Sequence, residues 1–166
     1  GADRVIKVDG AVVTNYDPEA LDDGLHAVSV TDTDAAGNSS TVAYQFTLDT
    51  TAPEVDADLA VDTGDANDDY VTSDGTIALQ ADLLEAGAIW RYSTDAGESW
   101  SSPQANTVDS FEITVEGVYK TGDIVIEQTD AAGNVGTFSS PGEVTIDKTA
   151  PVPVVALVQD SGLGGD

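Results

Sequence analysis

One phrase of the sequence occurs twice, and this repetition limits the architectures open to the chain. Residues 33–38 read Thr-Asp-Ala-Ala-Gly-Asn and recur at 129–134, and the phrase Asp-x-Thr-Ala-Pro at 49–53 recurs at 147–151. The first pair is separated by 96 residues and the second by 98, so the two copies differ by a two-residue insertion. A tandem repeat of this length indicates small domains joined in series.

The repeat divides the chain into three parts. We assign 1–50 to the C-terminal part of one repeat, 51–148 to a complete repeat, and 149–166 to the opening strand of a third. Shorter similar segments support this division, since Asp-Gly-Leu-His at 23–26 corresponds to Glu-Gly-Val-Tyr at 116–119. We therefore expect the chain to be part of a longer array.

The charge of the chain excludes several classes of partner. It has 31 acidic residues against 5 basic ones, a formal net charge of −26. DNA, RNA and anionic membrane surfaces would be repelled, because no basic patch exists to release their counterions. No apolar run approaches the ~20 residues of a membrane span, so membrane insertion is not expected. With 40% hydrophobic residues the chain can still bury a core.

The apolar residues of the complete repeat follow a period of two, which is typical of half-buried β-strands. They predict seven strands: A (55–61), B (76–83), C (88–94), C′ (100–106), E (110–115), F (123–129) and G (142–147). Seven short strands in about one hundred residues predict an all-β fold, a tandem array of immunoglobulin-like antiparallel β-sandwiches.

The first fifty residues supply fewer strands than a sandwich needs. We assign only C, C′, E, F and G there. Their apolar face, formed by Val28, Val30, Tyr44, Phe46 and Leu48, then lacks strands A and B. An uncovered sheet face and an open edge invite pairing with another chain. The sequence therefore predicts head-to-tail self-association, in which strand 152–158 or another chain's sheet covers this face.

Two aromatic positions are predicted to be structural. Trp90 lies on strand C, where sandwiches of this type often place a core indole. Tyr119 stands just before strand F, and His26 is its counterpart in the first repeat. We expect both to act as corner residues that donate a hydrogen bond back to the backbone.

The sequence predicts no enzyme. Residues 93–100 fit the Asp-box pattern Ser-x-Asp-x-Gly-x-Ser-Trp, a hairpin whose Asp caps turn amides and whose Trp packs beneath. The chain has one His and no Cys. It also lacks a nucleophile elbow and a phosphate-binding loop, so only abundant carboxylates remain as candidate acids and bases.

Acidic residues cluster in the predicted loops and point to calcium. The run Asp65-x-Asn67-x-Asp69 resembles the start of an EF-hand loop, although Tyr70 replaces its Gly and Thr76 its final Glu. Oxygen ligands without imidazole or thiolate favour Ca²⁺. The candidate ligands are Asp22, Asp23, Asp49, Asp62, Asp65, Asn67, Asp69, Asp74, Glu116, Asp123, Asp130, Asn134 and Asp147.

The sandwich topology brings these loops to the linkers between repeats. Loops 62–75 and 116–123 are expected beside the outgoing linker 147–151, and loop 130–134 is expected to face the incoming linker 49–53. Carboxylates from neighbouring repeats would then converge at each junction, where calcium could offset their repulsion.

The recurring phrases, together with Asp-Thr/Ser-Gly after each Ala-Pro, resemble the bacterial Ig-like repeats of large surface adhesins, including biofilm-associated and RTX-type adhesins. The resemblance covers essentially the whole chain. It implies an extracellular, cell-surface extender region that is loaded with calcium and projects a distal adhesive domain. The Gly-rich nonapeptide repeats of RTX proteins do not occur in this sequence.

Two functions remain open at this point. The first is a calcium-stiffened extender whose partners are the neighbouring repeats of the same chain. The second is a calcium-dependent module that binds a sugar or peptide through exposed loops or Trp100. Repetition favours the extender, because near-copies in series provide length rather than one pocket.

Overall fold

The computed structural model describes residues 3–156 and confirms the all-β prediction. The first unit contains four strands and a 3-10 helix at Pro18–Ala20: β1 (Asp3–Val8), β2 (Ala11–Val13), β3 (Gly24–Thr33) and β4 (Ser39–Leu48). The second contains β5 (Ala57–Leu59), β6 (Val71–Thr72), β7 (Thr76–Leu79), β8 (Ile89–Ser93), β9 (Gln104–Ala105), β10 (Ser110–Glu112), β11 (Gly117–Tyr119), β12 (Val125–Thr129), β13 (Val135–Ser139) and β14 (Val144–Ile146). Over these residues, no helix has the length and apolarity needed to cross a bilayer.

The second unit is an immunoglobulin-like sandwich. One sheet has the order β10-β7-β5 and the other the order β13-β12-β8-β9. Phe111 of β10 stacks on Tyr92 of β8 with ring centroids 3.8 Å apart, so the two sheets face each other. Between them lies a core of buried apolar side chains: Ala57, Ile77, Leu79, Trp90, Phe111, Ile113, Ile124, Ile126, Val144 and Ile146.

Trp90 occupies the predicted core position on strand C. Its side chain is 1% exposed, and its ring centroid lies 6.0 Å from that of Phe111. The indole nitrogen donates to the carbonyl of Val108 at 2.8 Å. A buried indole N–H thus has its acceptor, as burial of a polar group requires.

The F–G hairpin shows how the two repeats differ. In the first unit this hairpin consists of β3 (strand F) and β4 (strand G), which pair without interruption over ten residues each. In the second unit the hairpin is split into a β12–β13 part and a β11–β14 part. The break lies where strand F makes a turn, with Asp123 N donating to Lys120 O, and where strand G carries Pro141-Gly142.

This split corrects two predicted strands. Strand F, predicted over 123–129, already begins pairing at β11, and strand G, predicted over 142–147, includes the additional segment β13. Beyond the break, β14 pairs antiparallel with β11 and parallel with β6. The predicted A–B loop therefore contains a short strand, β6, that covers the edge of strand G.

Other predicted strands are shorter in the structure because the chain turns earlier than its apolar pattern suggests. Strand B, predicted to residue 83, ends at Leu79, since Leu83 N donates to Gln80 O in a turn. Strand A, predicted over 55–61, forms ladder pairs only in β5. Strand C′, predicted over 100–106, is reduced to β9, which follows Pro103, a residue without a backbone donor.

The first unit is a single sheet of order β2-β1-β3-β4. By its pairing this order matches C′-C-F-G of the second unit, and the predicted strand E is wrong. Residues 14–23 instead carry the 3-10 helix, which is capped by Asp17 and has Pro18 in its first turn. None of the residues 3–50 is buried. Residues 149–156 form no strand, and 157–166 of the predicted third repeat lie outside the described residues.

Candidate functional site: the acidic linker junctions

The linker that leaves the first unit is held by the loop that precedes β3. One carboxylate oxygen of Asp23 accepts from Thr50 N at 2.9 Å and Thr50 Oγ1 at 2.8 Å. Its other oxygen accepts from Thr51 Oγ1 at 2.7 Å. Asp49 turns the linker by accepting from Thr51 N at 3.1 Å. Asp23, which precedes β3, and Asp49, which follows β4, thus fix the course of the linker.

The same arrangement recurs after the second unit. Glu116, the counterpart of Asp23, accepts from Lys148 N at 2.6 Å and from Thr149 Oγ1 at 2.9 Å. Asp147 accepts from Thr149 N at 2.9 Å, and Lys148 Nζ pairs with Glu112 at 2.7 Å. We call these two arrangements, Asp23 with Asp49–Thr51 and Glu116 with Asp147–Thr149, the linker clamps.

The second unit binds the linker from the other side. Asn134, in the loop between β12 and β13, donates through Nδ2 to Asp49 O at 3.0 Å. Asp130 holds this loop by accepting from the amides of Ala132, Gly133 and Asn134 at 2.7–2.8 Å. The predicted meeting of loop 130–134 with the incoming linker is therefore observed.

A buried amide holds the next residues of the linker. Gln128 is fully buried, and its Nε2 donates to Glu54 O and to Leu83 O, each at 3.0 Å. Its Oε1 accepts from Glu85 N at 2.9 Å. One side chain therefore ties the incoming linker to the body of the sandwich.

Gly136 provides the space for this approach. A Cβ atom on Gly136 would lie 1.8 Å from Pro53 O, closer than any real contact. Position 136 must therefore be Gly because a backbone passes over it, although its own conformation is ordinary.

Hydrogen bonding favours the charged form of two of these carboxylates, Asp23 in the first clamp and Asp130 in the loop between β12 and β13. The hydroxyls of Thr51 and Thr50 hold the pKa of Asp23 below its ordinary value. Burial opposes ionisation of Asp130, but hydrogen bonds from Asn134, Gly133 and Ala132 together hold its pKa below the ordinary value as well. Both groups therefore act as anionic acceptors at neutral pH.

The loop after β5 contains the acidic run that predicted calcium. Asp62 accepts from Tyr70 N at 3.0 Å through one oxygen, while its other oxygen is buried without a hydrogen-bond partner. Asp62 and Asn67 line a depression of about 410 Å³ together with Asp58, Leu59, Asp68 and Tyr70. Hard oxygen atoms in such a depression suit calcium chemically.

The EF-hand-like geometry is not formed in this loop. Asp65, Asn67 and Asp69 are all exposed, and Asp69 instead accepts from Val71 N at 3.1 Å. Throughout residues 3–156, no group of three or more Asp, Glu, His or Cys side chains is arranged to hold a metal ion. Calcium binding stays a prediction, and any site here would also need amide and carbonyl oxygens.

Three further candidate ligands serve local turns in the structure. Asp74 accepts from Thr76 N at 3.0 Å, and Asp123 accepts from Lys120 N at 2.8 Å. Asp22 offers its backbone carbonyl to His26 Nε2 at 2.7 Å. These contacts bring Asp22, Asp74 and Asp123 to turns rather than to a common ligand cluster.

The predicted corner residues make equivalent contacts in the two units. Tyr119 donates its hydroxyl to Val115 O at 3.0 Å, four residues back. His26 makes the same backward contact, to Asp22 O, and places its Nδ1 2.8 Å from a carboxylate oxygen of Asp9. This pairing supports the alignment of the repeats at residue level.

The Asp-box hairpin has the predicted structural role. Asp95 accepts from Ser99 N at 2.8 Å and from Ser93 Oγ at 2.6 Å, and hydrogen bonds from Ser93 and Ser99 lower its pKa to about 2. The Trp100 ring lies under the Arg91 guanidinium, 4.3 Å from the ring centroid, and against Gly97. One face of the half-buried Trp100 ring is therefore covered by Arg91.

Sequence reasoning missed the partners of the acidic residues. It did not single out Thr50, Thr51, Thr149, Gln128 or Gly136 as functional. The recurring Thr two places after Asp49 and Asp147 was the available signal for the clamps. For Gln128 and Gly136 no such signal exists, because their roles depend on a backbone that only the fold brings near.

Comparison with known proteins agrees with this architecture for the first unit. Residues 3–50 match the model of a protein family described as Bacterial Ig-like domain. A search of curated proteins returned no match. Bacterial Ig-like domains are typically non-catalytic all-β modules of extracellular and surface proteins. The chain thus carries a segment similar to this family, followed by a second unit with the same strand order in its F–G sheet.

Proposed function

We propose that the chain is an extender, a series of repeats that projects a distal domain of a bacterial surface adhesin. The observation that supports this most directly is the recurrence of the linker clamp after both units. A binding site would be needed once, whereas a device that fixes linkers is useful at every junction of a rod. Arg91 covers one face of the Trp100 ring, which gives no support to the alternative of sugar binding through that residue.

The junction between the two described units is held from both sides. Asp23 of the first unit and Asn134 of the second both contact the linker that joins them. Hydrogen bonds from both neighbours restrict the backbone of the linker, and restricted linkers transmit direction from one domain to the next. This is the property that an extender requires.

We extend the proposal to calcium stiffening. The buried, unpaired oxygen of Asp62 lies in the loop that leads to β6, and β6 adjoins the outgoing linker through a hydrogen bond from Asp147 N to Thr72 O at 2.9 Å. A calcium ion held by Asp62 and neighbouring oxygens would stabilise this loop next to the junction. It would also offset part of the net charge of −26.

Pulsed electron–electron double resonance, which measures the distribution of distances between two spin labels, tests the extender proposal. The chain has no native Cys, so Gln45→Cys and Thr137→Cys, both at exposed positions, would carry the labels. We expect a narrow distance distribution in the parent and a clearly broader one in Asp23→Ala. Glu116→Ala is the matched control, since it removes the other clamp and should leave this distance narrow. A broad distribution in the parent would contradict the proposal.

A further inference from the structure

The two linker clamps are built on the same five-residue pattern. It reads Asp-Asp-Gly-Leu-His at 22–26 and Val-Glu-Gly-Val-Tyr at 115–119. The second position holds the clamp carboxylate, Asp23 or Glu116, and the fifth holds the corner residue. The clamp carboxylate and the corner residue therefore belong to one short loop at the start of strand F.

The corner side chain closes this loop directly in front of the clamp residue. Tyr119 donates its hydroxyl to Val115 O at 3.0 Å. His26 places Nε2 2.7 Å from Asp22 O. In each unit the carbonyl that is contacted belongs to the residue immediately before the clamp carboxylate. The corner side chain thus holds the peptide group from which the clamp residue extends.

The third position of the pattern is a glycine for a conformational reason. Gly24 has a φ of +139° and Gly117 a φ of +155°, values that L side chains rarely adopt. A Cβ atom at either position would meet nothing within 4 Å, so space is not the constraint. The backbone between the clamp residue and strand F therefore follows a sharp course that a corner contact can hold in place.

Each clamp carboxylate lies opposite another carboxylate. In the first unit Asp23 and Asp49 directly follow the last ladder pair of the hairpin, and in the second unit Glu116 and Asp147 do so. Like charges that face each other across paired strands are destabilising. Repulsion therefore acts to separate the loop from the linker at both junctions.

Ion pairing does not offset this repulsion directly. Among residues 3–156 none of these four carboxylates forms an ion pair, and Lys148, the cation within the second clamp, pairs with Glu112. In the first unit the corner is held from a second side, since His26 Nδ1 lies 2.8 Å from a carboxylate oxygen of Asp9. The other oxygen of Asp9 accepts from Ala27 N at 2.8 Å. The loop is thus held against the repulsion by contacts of the corner residue.

We propose that His26 and Tyr119 are positioning residues of the linker clamps. Each fixes the loop that carries the clamp carboxylate and so keeps the linker ordered, acting through that carboxylate. Two different side chains can share this role because it requires only an aromatic ring with a hydrogen-bond donor at its far end. The inference rests on the proposed extender function, which depends on ordered linkers.

Tyr119→Phe tests the proposal at the second clamp. The variant keeps the ring, which packs against the core, and removes only the hydroxyl. We expect the ¹⁵N order parameter of Lys148, whose N–H donates to Glu116, to fall from about 0.85 to below about 0.6. The order parameter of Thr50, whose N–H donates to Asp23 in the first clamp, is the internal control and should not change.

The first clamp allows the reciprocal test, with spectra recorded at a pH of about 6, below the ordinary histidine pKa. His26→Phe should lower the order parameter of Thr50 and leave that of Lys148 unchanged. It should also broaden the distance distribution between spin labels at positions 45 and 137. His26→Tyr should restore both values, because its hydroxyl can donate to Asp22 O as Tyr119 donates in the second unit.

The outcomes separate this inference from the extender itself. Low order parameters at Thr50 and Lys148 in the parent protein would contradict the clamps and with them the extender. High values that persist in both Phe variants would overturn only the positioning role. That role is also overturned if His26→Tyr is as disordered at Thr50 as His26→Phe, or if either Phe variant loosens both linkers equally, since the effect would then not depend on the corner donor.

Discussion

At the scale of single residues, substitutions at Gly136 and Gly142 can separate two contributions to stability, steric packing and backbone flexibility. Gly136 lies beneath Pro53, whereas a Cβ on Gly142 would meet nothing within 4 Å. Gly136→Ala should destabilise the second unit by about 1–3 kcal/mol or more, as overpacking does. Gly142→Ala should change its stability by no more than about 0.5 kcal/mol. Chemical denaturation followed by tryptophan fluorescence measures both, and equal effects would mean that Pro53 does not pass over Gly136.

The two tryptophans should also differ in their contributions. Trp90 is buried and hydrogen-bonded, so Trp90→Ala should cost about 3–5 kcal/mol. Trp100 lies on the outer side of the hairpin under Arg91, and Trp100→Ala should cost about 1 kcal/mol. Urea denaturation monitored by circular dichroism gives both values. Similar losses in the two variants would contradict the assignment of Trp90 to the core.

The single histidine makes the first unit sensitive to pH. The two partners of the His26 ring, the Asp9 carboxylate and the Asp22 carbonyl, are both acceptors, so both contacts are hydrogen bonds only when the ring carries a proton on each nitrogen. The hydrogen bond to Asp9 and that to Asp22 raise the pKa of His26. Because the folded pKa is raised, this stabilisation is complete below the ordinary value of about 6.5 and is lost as pH rises through the folded value.

Nuclear magnetic resonance can follow this titration without ambiguity, since the chain has one His. We expect a midpoint above about 6.5 and faster amide exchange in β3 once the ring is neutral. His26→Tyr imitates the corner of the second unit, where Tyr119 donates to Val115 O. In that variant the pH dependence of the protection factors, which are exchange rates corrected for the intrinsic base catalysis of amide exchange, should disappear. A midpoint below the ordinary value would show that the Asp9 contact does not form.

At the scale of strands, the two F–G hairpins differ in the protection of their outer edge. In the second unit Thr145 N donates to Tyr70 O at 2.8 Å and Asp147 N to Thr72 O at 2.9 Å, so β6 covers that edge. The ladder of the first unit turns the corresponding Thr47 N–H away from β3, and no strand lies beside β4 there within residues 3–156. Amide exchange at Thr145 should therefore be much slower than at Thr47. Comparable rates in monomeric protein would contradict the role of β6.

The strands also show what a sequence pattern can and cannot predict. Alternation located β7, β8, β10 and β12, because each has one face in the core. It missed β6, which has only two residues, and overextended strand B through Ala81 and Leu83, where the chain turns. Ala81 is exposed and Leu83 only half-buried in this turn, so alternation in the sequence continued past the point where the ladder ends.

The candidate site was predicted in part for a related reason. Repetition and topology placed the acidic residues Asp23, Asp49, Glu116 and Asp147 at the junctions as calcium ligands; the structure shows them hydrogen-bonded to the linkers, and calcium ligation stays a prediction. Their partners were not predicted, since hydroxyls and amides of the linker leave little trace in composition. The strand E assigned to 1–50 is wrong, because the segment between β2 and β3 forms a 3-10 helix with Pro18 in its first turn.

At the scale of the whole molecule, charge governs how neighbouring repeats are held. The clamps use hydrogen bonds to place carboxylates next to a linker in a chain of net charge −26. Each added repeat of similar composition would increase the repulsion between neighbours. A rod of such repeats is therefore expected to be stiffer when cations reduce this repulsion, and a bound divalent ion is more effective than screening alone.

Calcium binding can be separated from screening by comparing ions at equal ionic strength. Extracellular calcium modules bind at about 10⁻⁴ to 10⁻³ M. A site filled at ~100 times its dissociation constant adds about 2.7 kcal/mol to the free energy of unfolding. We therefore expect ~10 mM calcium to raise the Tm and lengthen the maximum dimension seen by small-angle scattering, relative to chelator with matched sodium chloride. Asp62→Asn should remove most of the calcium-specific rise, because it replaces the carboxylate whose second oxygen has no hydrogen-bond partner, while Asp17→Asn at the 3-10 helix of the first unit should not. Identical melting and scattering in calcium and in matched sodium chloride would show that the carboxylates act only through screening, and the extender would then depend on its hydrogen-bonded clamps alone.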